Sequence, residues 1–316
     1  MAQLPKRNLG GLSVSVVGLG CNNFGRRVDL DGTRAVVDAA LDAGVNFLDT
    51  ADIYGDQGGS ETLLGEVLNG RRDQVVLATK FGMDMGANGP SVRPRGSKAY
   101  VREAVDASLR RLHTDVIDLY QYHRPDGETP IEETLAALDE LVKAGKVRYI
   151  GCSNFTAGEL DEAAGCAREN GYASFVSVQN EYSLLKRGIE AEVVPEAEQL
   201  GVAVLPFFPL SSGLLTGKYR RGEPAPEGTR LHGRPEIADD ATFDRLEAAQ
   251  AFASERGIEL LDVGIAGLAA QPMVASVIAG ATKPEQVRAN AATLRWEPTA
   301  ADLEELDSIF PTPRNS

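Results

Sequence analysis

The sequence predicts an α/β protein whose parallel strands close into a (β/α)₈ barrel of the TIM type. Short apolar runs alternate with amphipathic segments along the chain, and a parallel crossover usually contains a helix. About eight such runs are present, the number that a barrel requires. The GxGxxG fingerprint of an open, doubly wound sheet is absent after the first run, which reads VVGLGCNNFG. Its absence disfavours the open sheet without excluding it.

The predicted strands are short, apolar and often β-branched, as is typical of strands buried on both faces. They cover residues 14–19, 45–49, 75–79, 116–122, 147–152, 175–179, 202–206 and 275–278. The predicted helices cover residues 32–43, 60–68, 98–112, 131–144, 157–169, 191–200, 242–256, 259–270 and 283–292. Gly44, directly after the first helix, is a usual helix stop.

Composition limits the possible classes of protein. The net charge of −14, from 46 acidic and 32 basic residues, argues against nucleic-acid binding because negative charge repels a phosphate backbone. Cys21, Cys152 and Cys166 have neither a disulfide pattern nor metal-ligand spacing. We expect a cytoplasmic protein without membrane contact, since the sequence has no signal-peptide run and no long apolar stretch. Residues 1–316 are expected to form one domain, because barrels of this length usually do.

Polar side chains stand at the ends of neighbouring predicted strands. Asp49, Lys80 and His123 follow three successive apolar runs, and Tyr54 comes shortly after the first of them. Taken alone, the aspartate is explained by helix capping, the lysine by solvent contact and the tyrosine by loop packing. In a barrel, however, the carboxyl ends of the strands form the active site. The four together therefore predict a catalytic site.

These four residue types are suited to the reduction of a carbonyl group. A carbonyl that accepts a hydride develops negative charge on its oxygen and needs a proton donor there. The Tyr54 hydroxyl would be a weak acid, and a neighbouring Lys80 ammonium is expected to lower its pKa. Asp49 is expected to keep a buried Lys80 charged, and His123 to orient the carbonyl through a hydrogen bond.

The stretch VNFLDTADIYGDQGGSETLLGEVL closely resembles the signature of the aldo-keto reductases. Later segments resemble further blocks of that family in the same order, from about residue 10 to about residue 290: YQYHRPD, GKVRYIGCSNF, VQNEYSLLKR, PLSSGLLTGKY and VIAGATKPEQVRAN. The resemblance is to the longer members, which include bacterial reductases and potassium-channel β-subunits. It implies a barrel with an N-terminal β-hairpin and long loops over the C-terminal face. It also implies NADPH-dependent reduction of aldehydes, ketones or sugars, or the reverse reaction.

The resemblance further implies roles for individual residues. Tyr54 would be the general acid in reduction and the general base in oxidation, tuned by Lys80 and Asp49, while His123 positions the carbonyl. Ser153, Asn154 and Gln179 would hold the carboxamide of the cofactor, and Phe207 would stack on its nicotinamide ring. The remaining implied cofactor contacts are Gly20, Cys21, Asn22 and Asp49 near the first strands, Phe208, Pro209, Leu210, Ser211, Gly213, Leu214, Lys218 and Arg230 around the pyrophosphate, and Gly280, Thr282, Lys283, Gln286 and Asn290 at the adenosine end.

Two departures from the family pattern bear on cofactor preference. Gln286 stands where many members have the arginine that binds the 2′-phosphate, and Ala289 stands where they have glutamate. NADH is therefore a possible second cofactor. Lys283 and Arg288 are candidates for the missing positive charge, or else solvated helix residues.

Two long loops are expected near the barrel mouth. Residues 219–238 are rich in Gly, Pro and Arg, and loops of this length are often functional lids; residues 83–97 form the second loop. We expect substrate selectivity in these loops and in a few nearby side chains, namely Asn22, Asn23, Phe24 and Tyr122.

Two other functions remain open at the level of sequence. A cofactor-sensing regulatory subunit with little turnover is compatible with the resemblance to channel β-subunits. A metal-dependent hydrolase would need ligands such as Asp49, Asp52, His123 and Asp126, which lack ligand spacing on one element, and Lys80 would repel the cation. The physiological substrate, the preferred direction and the oligomeric state are not predicted.

Overall fold

Eight parallel strands form a closed ring in a computed structural model that describes residues 4–234 and 236–312. Strands β1 (Lys6–Leu9) and β2 (Leu12–Ser15) precede the ring. The ring strands are β3 (Val17–Gly20), β4 (Phe47–Asp49), β5 (Val76–Phe81), β6 (Ile117–Tyr122), β7 (Val147–Ser153), β8 (Phe175–Gln179), β9 (Ala203–Val204) and β10 (Val277–Gly280). The ring runs in the order β10-β3-β4-β5-β6-β7-β8-β9. A parallel bridge between Val204 and Val274 joins its two ends, together with a hydrogen bond from Ile278 N to Pro206 O. The predicted (β/α)₈ barrel is confirmed.

The helices surround this ring. They are α1 (Leu30–Asp42), α2 (Tyr54–Val67), α3 (Lys98–Arg111), α4 (Ile131–Lys143), α5 (Ala157–Asn170), α6 (Val193–Leu200), α7 (Asp240–Glu255), α8 (Leu260–Ala269), α9 (Pro284–Ala292) and α10 (Ala300–Ile309). Local sequence explains many of their ends. Asp29 accepts a hydrogen bond from Gly32 N at the start of α1, and Thr156 forms a capping box with Glu159 at the start of α5.

The amino-terminal hairpin closes one end of the barrel. Strands β1 and β2 pair in antiparallel fashion just before β3 begins. The side chains of Leu9, Leu12 and Val14 are buried against residues from inside the ring, including Phe47 and Leu119. The hairpin therefore fills the end of the barrel opposite the carboxyl ends of the strands. The hairpin expected from the family resemblance is present.

The prediction and the structure differ at three elements. The strand predicted over residues 14–19 is wrong as one unit, because the chain leaves the hairpin at Val16 and enters the barrel at Val17. The strand predicted over residues 202–206 shrinks to β9. Helix α10 was not predicted, although Thr299 and Asp302 form a capping box at its start. Of the loop predicted over residues 219–238, residue 235 lies outside the described residues. The single domain over 1–316 stays a prediction, because residues 1–3 and 313–316 also lie outside them.

We predict that Gly65→Ala destabilises the fold. Gly65 lies on α2 against the end of α3, where an added Cβ would stand 2.3 Å from Arg111 O and 2.8 Å from the carbonyl carbon of Leu112. Overpacking against backbone atoms should lower the free energy of unfolding by roughly 1–3 kcal/mol. Urea denaturation of both proteins measures the difference.

The matched control is Gly165→Ala on α5, where the nearest atom to the added Cβ is a guanidinium nitrogen of Arg168 at 3.8 Å. Alanine should raise the free energy of unfolding there by roughly 0.5–1 kcal/mol, since glycine weakens a helix interior. Equal effects of the two substitutions would contradict this account of α2 packing.

Candidate active site

A fully buried lysine lies at the centre of the carboxyl end of the barrel. Lys80 on β5 has 0% exposed surface, and its Nζ donates to Asp49 Oδ2 at 2.6 Å and to Thr50 O at 2.9 Å. The other carboxylate oxygen, Asp49 Oδ1, accepts from Gln121 Nε2 at 3.1 Å and from Gln179 Nε2 at 3.0 Å. Burial alone would lower the pKa of Lys80, but charge attraction and hydrogen bonding from Asp49 and Tyr54 together outweigh it, and the pKa is raised. The site therefore contains a permanent ammonium–carboxylate pair.

Tyr54 is held beside this pair by an unusual turn. The four residues that follow Tyr54 all have positive φ: Gly55, Asp56, Gln57 and Gly58. A side chain at Gly55 would lie 2.4 Å from Phe24 O, so only glycine fits. A residue other than glycine with positive φ costs about 1–2 kcal/mol. Such backbone strain often accompanies functional positions. The Lys80 ammonium lies 5.1 Å from the centroid of the Tyr54 ring.

The pKa of Tyr54 differs from the expectation drawn from the sequence. Burial raises this pKa above its ordinary value, and the opposing effect of Lys80 does not cancel it. The ammonium lowers the pKa as expected, but the net shift is upward, because the phenol is desolvated more strongly than the ammonium stabilises its anion. The Tyr54 hydroxyl keeps its proton at neutral pH and can donate it, and any tyrosinate that forms lies next to a positive charge.

His123 is the second neutral hydrogen-bonding group of the site. Its ring packs edge-to-face on Tyr54, with 5.9 Å between the centroids. Burial lowers the pKa of His123 to about 3, with further contributions from Lys80 and Arg124. The Nδ1 atom is buried and, among the described residues, has no hydrogen-bond partner. The imidazole is therefore neutral and carries one N–H donor.

A cleft of about 810 Å³ opens above these residues. Its size is in the usual range of sites for small molecules and cofactors. The predicted residues that line it are Gly20, Cys21, Asn22, Asp49, Tyr54, His123, Ser153, Asn154, Gln179, Phe207, Phe208, Pro209, Leu210, Gly213, Lys218, Arg230, Gly280, Thr282, Lys283, Gln286 and Asn290. Both predicted mouth loops contribute, through Met83 and through residues 227–230.

Some predicted residues do not line the cleft. Ser211 bonds through its hydroxyl to the Ser183 hydroxyl at 2.7 Å, and Leu214 packs against the hydrophobic clusters beneath the mouth loop. Phe24 and Tyr122, expected to influence selectivity, are buried in the core. Lys80 does not line the cleft but lies against Asp49 and Tyr54, which do.

The far part of the cleft is suited to an anionic, partly aromatic ligand. This part is lined by Lys218, Arg230 and Lys283. Within residues 4–234 and 236–312, none of the three forms a salt bridge with a carboxylate. The Arg230 guanidinium lies 5.0 Å from the centroid of the Phe208 ring, and Phe207 offers a second aromatic surface. Free cations beside aromatic rings fit the phosphates and rings of a nicotinamide dinucleotide.

Gln286, which departs from the family pattern, lines the cleft beside the start of α9. Its side-chain oxygen accepts from Thr282 N at 2.7 Å and from Lys283 N at 3.2 Å. Gln286 therefore caps α9 rather than offering a charge. Lys283 lines the cleft, whereas Arg288 does not, so Lys283 is the better placed of the two cations proposed to replace the missing arginine.

Sequence reasoning missed several residues of the site. Gln121 had a detectable signal, because a glutamine within the apolar strand IDLYQY faces the same layer as Lys80 in the strand register. Arg27, Arg124, Ser212 and Thr216 also line the cleft, but their loops carry no pattern that predicts the direction of a side chain.

Among the described residues, no group of three or more His, Cys, Asp or Glu side chains is arranged to hold a metal ion. Over the same part of the chain, no helix has the length and apolarity needed to cross a membrane.

This chain is similar to known proteins in both sequence and fold. The model of the aldo/keto reductase family matches residues 16–310. An uncharacterized oxidoreductase of Bacillus subtilis, YrpG, is 36% identical over 312 residues, covering 96% of this chain and 94% of its own length. A probable voltage-gated potassium channel subunit beta of Oryza sativa is 36% identical, covering 90% and 89%. The solved structure of an aldo-keto reductase from Bacillus halodurans, in its holo form, is 32% identical with a TM-score of 0.82, covering 99% of each chain.

We predict that His123 makes folding stability fall with pH below neutrality. The unfolded chain binds a proton on this residue below pH 6.5, whereas the folded chain resists it down to about pH 3. Between these values the free energy of unfolding should drop, as pH falls, by at most about 1.4 kcal/mol per pH unit from this one residue.

His123→Gln should remove that contribution, which urea titrations at pH 7, 6 and 5 would measure. The variant should lose less stability than the parent over this range. Parallel decreases in the two proteins would mean that the imidazole is not kept neutral by burial.

Proposed function

Because this chain belongs to the aldo/keto reductase family and is therefore an NAD(P)H-dependent oxidoreductase, we propose that it reduces aldehydes or ketones to alcohols with NADPH, and catalyses the reverse, with Tyr54 as general acid and base. The family membership confirms the resemblance drawn from the sequence. The observation that carries the finer proposal is the convergence of the Tyr54 hydroxyl, the Lys80 ammonium and the neutral His123 ring at one end of the cleft.

The cofactor assignment is supported by the chemistry of the cleft lining. Lys218, Arg230 and Lys283 are suited to hold the phosphate groups, and Phe207 to face the nicotinamide ring. Ser153 and Asn154 supply hydroxyl and amide groups near His123, since Asn154 Nδ2 donates to His123 O at 3.0 Å. When bound, the cofactor supplies or accepts a hydride at its nicotinamide ring.

The protein's own residues handle the proton. In reduction, Tyr54 donates its proton to the carbonyl oxygen, and the tyrosinate that remains is stabilised by Lys80. Asp49 keeps Lys80 charged and fixed in position. The neutral His123 donates a hydrogen bond that orients the carbonyl oxygen, and it remains uncharged throughout the pH range in which Tyr54 acts. In oxidation, the tyrosinate accepts the proton of the alcohol.

A second candidate is a cofactor-binding, redox-sensing regulatory subunit with little turnover. It is favoured by the similarity to the potassium channel subunit beta of Oryza sativa. The two functions share the cleft and differ in whether Tyr54 protonates a substrate, so an activity assay separates them.

We predict that Tyr54→Phe lowers kcat by roughly 10²–10⁴-fold, since it removes the proton donor. Oxidation of NADPH and NADH would be followed at 340 nm against a panel of aromatic, aliphatic and sugar aldehydes. The dissociation constant for NADPH should stay near that of the parent protein. Tyr172→Phe removes a hydroxyl outside the cleft and should leave turnover unchanged.

A loss of NADPH affinity in Tyr54→Phe would contradict the assigned role. Tight NADPH binding by the parent protein with no turnover of any aldehyde would favour the regulatory subunit instead.

We also predict that Lys283→Ala weakens NADPH binding roughly tenfold or more while changing NADH binding less. A hydrogen bond to a charged group contributes about 1.5–3 kcal/mol, and only NADPH carries the 2′-phosphate. Arg288→Ala is the matched control, because Arg288 is a cation on α9, the helix that begins directly after Lys283, and it does not line the cleft. Equal losses for both cofactors would place Lys283 away from the 2′-phosphate.

A further inference from the structure

Arg124 is a positively charged residue of the cleft that has no role in the proposed binding of the cofactor. It follows His123 directly in the loop after β6, and its side chain lines the cleft. Arg124 and Lys80 are the cations that lower the pKa of His123. Burial lowers the pKa of Arg230, and the cations that add to this effect are Arg27, Arg234 and Arg26. Arg124 therefore belongs to the reacting end of the cleft rather than to the end suited to the phosphates.

The carboxylate nearest to Arg124 in the chain is committed elsewhere. Asp126 Oδ2 accepts from Gly96 N at 2.6 Å and from the Thr129 hydroxyl at 2.8 Å. Its Oδ1 accepts from Glu128 N at 3.0 Å and from Thr129 N at 2.8 Å. Asp126 thus holds the turn together and is not available to Arg124.

Within residues 4–234 and 236–312, Arg124 forms no salt bridge. By contrast, Arg93 on the neighbouring mouth loop pairs with Asp84 at 3.4 Å. Arg124 accordingly presents a guanidinium without a carboxylate partner to the space in front of His123. Guanidinium groups bind carboxylates and phosphates with two parallel hydrogen bonds.

The surroundings suggest an amphipathic substrate. Met83 lines the same cleft with an apolar side chain, and the Tyr54 ring forms part of its floor. The protein as a whole carries a net charge of −14 and would repel anions. A positive group at the reacting end offsets that repulsion locally.

We propose that Arg124 makes the enzyme selective for carbonyl substrates that bear a carboxylate or phosphate group, which pairs with the guanidinium while the carbonyl oxygen faces Tyr54 and His123. This inference rests on the proposed reductase function and adds a substrate class to it.

The test compares matched substrates that differ in one anionic group. The pairs are butanal with 4-oxobutanoate, benzaldehyde with 3-carboxybenzaldehyde, and glyceraldehyde with glyceraldehyde 3-phosphate. In the parent protein, kcat/KM for the anionic member of at least one pair should exceed that of the neutral member tenfold or more, mainly through KM. The pairs that show the preference indicate whether carboxylate or phosphate is the preferred group.

Arg124→Gln should lower the ratio of kcat/KM values, anionic over neutral, at least tenfold, and Arg124→Lys should retain part of it. Added NaCl should lower the ratio in the parent protein but not in Arg124→Gln, because salt screens charge pairs. Arg168→Gln is the control: it changes the net charge by the same amount, at an exposed position of α5 outside the cleft. This variant should keep the ratio of the parent protein.

A parent protein that reduces neutral aldehydes as well as anionic ones would overturn the inference and leave the reductase function intact. An unchanged ratio in Arg124→Gln would also overturn it. The absence of turnover for every substrate would overturn the reductase function, and the inference with it.

Discussion

An ammonium group with no exposed surface is stable in a protein only when its charge is balanced and its hydrogen bonds are satisfied. Lys80 meets this condition through Asp49 and Thr50 O, and Asp49 is in turn fixed by Gln121 and Gln179. These residues come from, or directly follow, β4, β5, β6 and β8. A slip of one residue in any of these strands would turn its side chain to the other face of the ring. Removing one partner of such a pair typically costs about 3–5 kcal/mol, so the closed barrel and the site depend on the same strand register.

Burial favours the uncharged form of the two titratable groups beside this pair. It keeps His123 uncharged and Tyr54 protonated, whereas Lys80 stays charged because Asp49 is close. The site thus holds one fixed ion pair and two neutral donors. This arrangement can stabilise an anion on the Tyr54 oxygen without first having to reorganise, which is the feature that makes such sites effective. The left-handed turn after Tyr54 keeps the phenol in place at the expense of backbone strain.

Much of this arrangement could be predicted from the sequence, for reasons that differ between residues. Asp49, Lys80 and His123 could be located because buried strands are continuous apolar runs whose ends share one edge. Gln121 could have been found in the same way. The direction of the Tyr54 pKa shift could not be predicted, since it depends on how far the surrounding loops remove water from the phenol. Likewise, Ser212 rather than Ser211 lines the cleft, and both have positive φ, which no residue pattern there indicates. Val16 lies inside the segment VSVVGL, where no Pro, Asn or Asp marks a turn, so the boundary between hairpin and barrel was also hidden.

The amino-terminal hairpin packs across the end of the barrel opposite the cleft, so among the described residues the floor beside Tyr54 is approached from the cleft side. Leu9, Leu12 and Val14 block the opposite end, so molecules that reach the floor beside Tyr54 pass through the cleft in both directions. In the proposed reaction, whichever of the two reactants lies deeper must therefore arrive first and depart last. Water that restores the Tyr54 proton must enter through the same cleft. It is therefore excluded for as long as a reactant occupies the cleft.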